Sequence, residues 1–296
     1  YSPVAEASGT VTITLTATDT GSSTEPNVNA LTKTFDITVT TINDAPSVDT
    51  VPDQTVDEDA AEVTLTLTSV AVGGGDDESS TQSVAFTATS SDTAIVPDPT
   101  VTGSGASRTL TYTPVADATG VVTVTLVGDD GGPTEGESDV STVTQTFTIT
   151  VDAINDAPTL DTIADVTMDE DGSLIVSLTE IGPGGGTDEA GQVVSLSNVS
   201  LNPTVIPSLT LTPSEGGYDM DITPLADANG VVTLFVNALD DGSSVSPNVN
   251  QNQRVFTVTV TAVNDAPSFD TISDVTASED TDPVSVLITN VSVGPA

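Results

Sequence analysis

The sequence predicts an all-β protein made of tandem antiparallel β-sandwich domains in an extended array, and three observations lead to this fold class. A block of about 110 residues recurs along the chain. Apolar residues alternate with threonine inside the runs that would form strands. Each block holds about seven such runs, separated by glycine-rich turns and free of helical periodicity.

The repeat is marked by the tetrapeptide NDAP, which begins at Asn43, Asn155 and Asn264, with spacings of 112 and 109 residues. The octapeptide SPVAEASG at residues 2–9 returns as TPVADATG and TPLADANG at the same spacing. The sequence therefore divides into a C-terminal half-repeat at 1–42, complete repeats at 43–153 and 154–262, and an N-terminal part at 263–296. Half-repeats of this kind would expose strand faces, so we expect an excerpt of a longer array or completion by neighbouring chains.

The strand pattern has a period of two. In VTITLTATD, Val11, Ile13 and Leu15 fall on one face, and Thr12 and Thr14 fall on the other. Such alternation is typical of a half-buried strand. In the first complete repeat it predicts strands near 50–56, 63–70, 83–89, 99–103, 108–113, 121–129 and 145–152. About seven short strands in about 110 residues indicate an immunoglobulin-like sandwich.

The charge excludes several partners. The chain has 296 residues with 44 acidic and 3 basic side chains, a formal net charge of −41. Binding to nucleic acid requires Lys and Arg to neutralise phosphates, and anionic membrane surfaces attract the same residues. No apolar run approaches the length of a transmembrane helix. We therefore expect neither nucleic-acid binding nor direct membrane insertion.

Enzymatic chemistry is disfavoured for a related reason. Cys and His are absent, which removes the usual general base and the thiolate nucleophile. Paired carboxylates can hydrolyse glycosides, but the acids here recur in every repeat instead of gathering in one cleft. The sequence thus predicts a protein without enzymatic activity. Its abundant carboxylate oxygens are the hard ligands that suit Ca²⁺.

Several motifs carry a family resemblance. NDAP joins the repeats, a V-x-E tripeptide ends at Glu58, and an A-x-D tripeptide ends a Thr/Val-rich strand at Asp19 and Asp240. With TPVAD-x-x-G, a GGG before an acidic pair and a closing F-x-[IV]-T-V run, this combination resembles the cadherin repeat. It is more closely similar to the cadherin-like or Ig-like tandem repeats of large bacterial surface proteins and adhesins.

The resemblance implies Ca²⁺ as a cofactor at the junctions between consecutive repeats. Ligands are implied from the V-x-E glutamate, the acid before the sixth strand, the linker pair, the acids after GGG and the A-x-D aspartate. Carried over by position, they are Glu58 and Glu170; Glu6, Asp117 and Asp227; Asn43, Asp44, Asn155, Asp156, Asn264 and Asp265; Asp76, Asp77 and Asp188; Asp130 and Asp240. The NDAP linker is shorter than a cadherin linker, and the glutamate of the cadherin D-x-E motif is missing after Asp117 and Asp227. These departures imply fewer ions per junction than cadherins hold, weaker binding, or none.

Geometry favours the same grouping, because residues at strand ends gather at the two poles of a sandwich. Glu58 and Asp117 are expected to meet the linker and upper loops of the next repeat across one junction. Those partners are Asn155, Asp156, Asp188 and Asp240. Carboxylates gathered so closely repel one another without a cation. The alternative is that NDAP is only an interdomain turn, since Asn and Asp favour turns and Pro interrupts a β-ladder.

The function implied is structural: a stalk or fibre on a bacterial cell surface, stiffened by Ca²⁺ between repeats. The alternative is an adhesion module that itself binds a partner cell, a glycan or neighbouring copies, and a third is an accessory module beside a catalytic domain. The expected partners are neighbouring repeats and other copies, joined in a filament by strand complementation or lateral contacts. A partner-binding repeat should carry a distinctive exposed aromatic residue, for which Tyr218 and Phe235 are the candidates.

Overall fold

The computed structural model describes residues 1–26, 28–134, 136, 139–280 and 282–294, except for the side chains of Asp76 and Asp77. The chain forms two compact units, Tyr1–Ala153 and Ile154–Ala296. Their secondary structure is almost entirely β. Within the described residues, no helical segment has the length and hydropathy needed to span a bilayer.

The first unit begins with a two-stranded hairpin of β1 (Gly9–Thr18) and β2 (Ala30–Val39). A four-stranded sheet and a three-stranded sheet follow. The four-stranded sheet has the order β3 (Gln54–Asp57), β9 (Thr142–Asp152), β8 (Gly120–Asp129) and β5 (Ala85–Ser90). The three-stranded sheet has the order β4 (Val63–Leu67), β7 (Arg108–Tyr112) and β6 (Thr100–Thr102). A single helical turn, α1 (Asp76–Ser79), lies between β4 and β5.

The second unit repeats this arrangement. Its four-stranded sheet has the order β10 (Val166–Asp169), β16 (Gln251–Thr261), β15 (Gly230–Leu239) and β12 (Ser195–Ser200). Its three-stranded sheet has the order β11 (Leu174–Leu178), β14 (Gly217–Ile222) and β13 (Leu209–Ser214). Each complete repeat thus contains seven strands in two sheets, and the predicted all-β sandwich class is confirmed.

The sandwich is not purely antiparallel, which corrects the prediction. β3 pairs in parallel with β9, and β10 pairs in parallel with β16. An aspartate before each short strand fixes this pairing, because Asp53 accepts the backbone N–H of Thr148 and Asp165 accepts that of Thr257, each at 2.7 Å. These hydrogen bonds favour the ionised carboxylate and lower the pKa of both Asp53 and Asp165.

The first strand of the repeat also begins later than the alternation predicts, at Gln54 instead of about residue 50. Pro52 has no N–H to donate to a ladder, so regular pairing starts only beyond it. The helical turn α1 was not predicted. It spans four residues, which is too short to give a helical periodicity.

Each complete repeat buries an aliphatic core between its two sheets. In residues 154–262, called the third repeat below, Leu234 and Val236 of one sheet pack with Met220 and Ile222 of the other. All four side chains are fully buried. Phe147 and Phe256 are the largest apolar members of the two cores, each 2% exposed. Thr residues between the core positions lie on the outer faces, as the alternation predicts.

The β1–β2 hairpin lacks this cover. Phe35 is at the position that Phe147 and Phe256 hold in the complete repeats, but it is 49% exposed. Val11 and Leu15, which correspond to buried residues of β8, are also exposed. In the half-repeat, residues that form the core of the complete repeats are therefore exposed.

Tyr112 gives a first stability test. Its side chain is buried, and its hydroxyl has no hydrogen-bond partner among the described residues. Burial raises the pKa of Tyr112, and the third repeat has Ile222 at this position. An unsatisfied buried polar group costs about 1–3 kcal/mol. We therefore expect Tyr112→Phe to leave the free energy of unfolding unchanged or to raise it, as measured by urea denaturation. A loss above about 1 kcal/mol would show that the hydroxyl has a stabilising partner.

Candidate functional site

Asn155, the first residue of the second NDAP, forms hydrogen bonds with residues of the loop between β15 and β16. Its backbone N–H donates to Asn248 Oδ1 at 2.6 Å, and its side-chain amide donates to the carbonyl of Val249 at 2.8 Å and to Asp240 Oδ1 at 3.2 Å. Its Oδ1 accepts from Gln192 Nε2 at 2.7 Å. Asn155 is therefore engaged inside its own repeat, which gives the NDAP turn a structural role.

Two buried carboxylates lie around this asparagine. Glu189, in the loop before β12, is 1% exposed, and Asp240, directly after β15, is 3% exposed. Glu189 Oε1 accepts the backbone N–H of Asp156 at 2.6 Å, and Asp240 Oδ1 accepts that of Gly242 at 2.8 Å. Among the described residues, Glu189 Oε2 and Asp240 Oδ2 have no hydrogen-bond partner although both are buried. Each carboxylate thus has one oxygen satisfied and one left over.

Glycine makes room for these oxygens. A Cβ placed on Gly185 would lie 2.7 Å from both Asp156 Oδ2 and Glu189 Oε2, so these two carboxylate oxygens converge on the same space. A Cβ on Gly242 would collide with Asn155 Oδ1. Gly185 of the GGG motif and Gly242, two residues after the A-x-D aspartate, are therefore needed to accommodate this polar cluster.

The electrostatics of the cluster are unfavourable without a cation. Burial raises the pKa of Glu189, and the negative charges of Asp188 and Asp240 raise it further, against the lowering effect of the Asp156 N–H and Gln192 hydrogen bonds. A buried carboxylate that is neither paired nor fully hydrogen-bonded is costly. The arrangement supplies only oxygen ligands, the donor set that Ca²⁺ prefers.

The second repeat, residues 43–153, contains the same cluster. Glu78 and Asp130 are buried beside Asn43, and Asp44 donates its backbone N–H to Glu78 Oε1 at 2.8 Å. The amide of Gln82 donates to Asn43 Oδ1 at 2.7 Å. In the described part of the chain, Glu78 Oε2 and Asp130 Oδ2 again lack hydrogen-bond partners. The cluster is therefore a feature of the repeat and not of one copy.

A second acidic group lies at the opposite end of the third repeat. Glu170, 2% exposed, accepts the N–H of Val263 at 2.8 Å and the side-chain amide of Asn229 at 3.2 Å. Asp265, from the third NDAP, lies within hydrogen-bonding reach of Asp227. Burial raises the pKa of Asp265, and the charges of Asp227 and Glu170 raise it further. Three predicted ligands, Glu170, Asp227 and Asp265, are thus brought together within this unit.

The backbone at the sixth-strand acid is the same in all three copies. Glu6, Asp117 and Asp227 have φ values of 57°, 57° and 58°. This left-handed conformation is uncommon for residues with a side chain and clusters at functional positions. Glu6 also lines one cleft of about 430 Å³ together with Asp44 in the first unit. The same left-handed conformation also recurs at Ser69, Glu180 and Asn290, which are not predicted ligands, so it is a feature of the repeat and does not single out the acidic positions.

The predicted ligands with described side chains fall into three groups by exposure. Buried are Asn43, Glu58, Asp130, Asn155, Glu170 and Asp240; half-buried are Asp156 and Asp265; exposed are Glu6, Asp44, Asp117, Asp188, Asp227 and Asn264. The side chains of Asp76 and Asp77 lie outside the described residues. Glu58, which begins the turn after β3, donates its backbone N–H to the carbonyl of Asp152 at 3.0 Å.

Sequence reasoning missed Glu78 and Glu189, the buried acids of the GGG loops. It selected the aspartates before them, of which Asp188 is exposed. A signal was present, because the loops read GGGDDE and GGGTDE and both end in glutamate, whereas Asp76 is replaced by Thr187. Gln82 and Gln192 also recur at the same position of both repeats.

Comparison with known proteins bears on the fold alone. The sequence matches no protein-family model and no curated protein. Among solved structures, the chain is similar to the human desmocollin-1 ectodomain, with 15% identity and a TM-score of 0.41, over 92% of this chain and 51% of that one. It is similar to human CDH23 EC21–23, with 17% identity and a TM-score of 0.39, over 81% and 84% of the two chains.

A third similar structure is that of protocadherin gamma B2 extracellular cadherin domains 3–6, with 16% identity and a TM-score of 0.38, over 88% of this chain and 59% of that one. The chain spans about half the length of the desmocollin-1 ectodomain. Cadherin ectodomains are thus among the solved structures that the chain is similar to.

Proposed function

We propose that the chain is a stretch of a large extracellular bacterial surface protein in which Ca²⁺, bound at the ends of β-sandwich repeats, stiffens a stalk or fibre. The proposed repeats are 1–42, 43–153, 154–262 and 263–296. The role is structural and not enzymatic. The bacterial and cell-surface parts of this proposal are supported by the resemblance of the repeat motifs.

One observation carries the calcium part: the buried carboxylate oxygens of Glu189 and Asp240 that lack a hydrogen-bond partner among the described residues. A buried anion of this kind must be protonated, paired or bound to a metal. The three basic residues of the chain are too few to pair with 44 acids. Glu78 Oε2 and Asp130 Oδ2, the equivalent oxygens of the second repeat, are also buried without a hydrogen-bond partner among the described residues. This recurrence supports a bound ligand at both sites.

The residues present fit Ca²⁺ at two kinds of site. At one end of a repeat, the cation would be held by Asp156, Glu189 and Asp240, or by their equivalents Asp44, Glu78 and Asp130. At the other end, Glu170, Asp227 and Asp265 would hold it. A bound Ca²⁺ supplies positive charge and accepts six to eight oxygen ligands. Because Asp265 belongs to the linker that follows the third repeat, binding there would restrain the linker against the repeat that precedes it.

Solution scattering tests the stiffening. In millimolar Ca²⁺, the extracellular range of affinity, we expect a narrow distribution of interatomic pair distances. An excess of chelator should broaden that distribution, because the linkers become more flexible. Mg²⁺ at equal concentration is the control, since it screens charge equally but demands a smaller octahedral site. Superimposable curves in Ca²⁺ and in chelator would contradict the proposal.

The alternative function is an adhesion module that binds a partner cell, a glycan or neighbouring copies. Its sequence criterion was a distinctive exposed aromatic residue in one repeat. Phe235 meets part of that criterion, because it lies on the outer side of the sheet and is half-buried there.

A further inference from the structure

The outer face of the third repeat carries an apolar stripe that crosses three adjacent strands. In the strand register, Val199 of β12 lies opposite Phe235 of β15, and Phe235 lies opposite Val255 of β16. These residues face outward, because the neighbours of Phe235 in β15, Leu234 and Val236, are fully buried. Val199 is 48% exposed and Val255 is 52% exposed. The three side chains thus form a continuous patch that belongs to neither core.

The fold does not require this stripe. The corresponding cross-strand triplet in the second repeat is Thr89, Thr125 and Thr146, with the same pairing. The corresponding pair in the β1–β2 hairpin is Thr14 and Thr34. Threonine is therefore sufficient for the outer face of this sheet, and the third repeat differs from the others where it presents Val, Phe and Val.

The three strands that carry the stripe also contain no acidic residue. Strands β12, β15 and β16 contain no Asp or Glu, in a chain that has 44 of them. The outward neighbours of the stripe along β15 are Thr233 and Asn237. Arg254, the one charged residue of these strands, donates to the carbonyl of Leu160 and to Asn252 within its own repeat. The nearest described carboxylates of this sheet belong to its edge strand β10 and the residue before it, where Asp169 accepts from Thr261 and Asp165 accepts from Thr257.

We propose that this face is a lateral contact surface for a second copy of the chain. Two copies with a net charge of −41 repel each other wherever their carboxylates approach, so they meet at the lowest cost on strands without acids, such as β12, β15 and β16. A cationic partner would instead be drawn to the acidic repeat ends. A face that meets its own copy is self-complementary about a two-fold axis, and two sheet faces pack about 10 Å apart through side chains of this size. A stripe of three residues supports a weak, reversible contact.

The contact has a characteristic salt dependence. Salt screens the repulsion between two like-charged copies and leaves apolar packing in place. Self-association should therefore strengthen as NaCl is raised, whereas attraction to a cationic partner would weaken. The contact does not depend on calcium at the repeat ends, so it is measured in chelator and stands or falls apart from the calcium proposal.

Sedimentation equilibrium over a range of protein and NaCl concentrations tests the proposal. The wild-type chain is expected to form a dimer at high salt. The variant Phe235→Thr/Val255→Thr, which installs the residues of the second repeat, should associate at least about tenfold more weakly, as truncation of central interface residues does. Val231→Thr is the matched control, because Val231 is 64% exposed on the same strand face but outside the stripe, and it should leave the association unchanged.

Three results would overturn the proposal. The first is a wild-type chain that stays monomeric at every salt and protein concentration, which would leave the stripe to a partner other than a second copy. The second is undiminished association of Phe235→Thr/Val255→Thr. The third is loss of association in Leu15→Thr/Phe35→Thr, which would place the contact on the exposed β1–β2 hairpin. The melting temperature of each variant is measured in parallel, to show that the third repeat remains folded.

Discussion

Exchanging Glu189 for glutamine together with Asp240 for asparagine will abolish the calcium-dependent stabilisation of the third repeat. A site occupied at a hundredfold excess of Ca²⁺ over its dissociation constant contributes about 2.7 kcal/mol. In a domain of about 110 residues that amount corresponds to a melting temperature about 10 °C higher. The wild-type chain should show an increase of this order between chelator and Ca²⁺, and the double variant should show almost none.

The order of stabilities should reverse in chelator. There the double variant is expected to melt at a higher temperature than the wild type, because it lacks two buried carboxylates with unsatisfied oxygens. The matched control is Asp188→Asn, which removes a neighbouring charge from an exposed position and should retain most of the calcium response. Equal responses of the wild type and the double variant would exclude Glu189 and Asp240 as ligands.

The pH dependence in chelator has a defined sign. Because the pKa of Glu189 is raised in the folded protein, its favourable contribution is fully present below the ordinary pKa of glutamate and is lost as the pH rises through the folded value. The wild type should therefore lose stability relative to Glu189→Gln as the pH rises above 4.5, the ordinary pKa of glutamate. Asp53 and Asp165, whose pKa values are lowered, contribute in the opposite direction and are common to both proteins.

Replacing Phe256 by alanine will destabilise the third repeat by about 3–5 kcal/mol. Phe256 is 2% exposed and packs in the core between the two sheets, so its removal loses apolar burial and leaves a cavity. A loss of this size is a large fraction of the stability of a small domain, and circular dichroism in urea should show the third repeat unfolding at a clearly lower concentration.

The chain offers a control at the same repeat position. Phe35 occupies the Phe256 position in the half-repeat but is 49% exposed, so Phe35→Ala should cost less than about 1 kcal/mol. Equal destabilisation by the two substitutions would mean that Phe35 is covered in solution. Such a result would point to completion of the half-repeat by another chain segment.

The fold could be predicted from sequence because it depends on signals that repeat. The period-two alternation of Val11, Ile13 and Leu15 assigns a core face without reference to any other strand, and three copies of NDAP give the repeat length. The parallel pairing of β3 with β9 could not be predicted in this way. It depends on where the strand crosses between sheets and on the contact between Asp53 and Thr148, which are 95 residues apart.

The candidate site was predicted in outline and only partly by residue. Asp240 was selected because it matches the A-x-D motif of the cadherin resemblance, and its position at the end of a strand supported its grouping with the linker residues. Glu189 was missed because burial distinguishes it from Asp188, and two adjacent acids in a loop look alike in a sequence. The stripe through Phe235 required the strand register, since Val199 and Val255 are its neighbours across the sheet and not along the chain.

Binding of Ca²⁺ by the buried acids of the repeat ends can be measured by calorimetric titration of the chelator-treated chain with CaCl₂. We expect saturable binding in the range of about 10⁻⁴–10⁻³ M, with fewer ions bound by Glu189→Gln/Asp240→Asn and unchanged binding by Asp188→Asn. A titration without saturable heat, accompanied by the same melting temperature in Ca²⁺ and in chelator, would contradict this expectation.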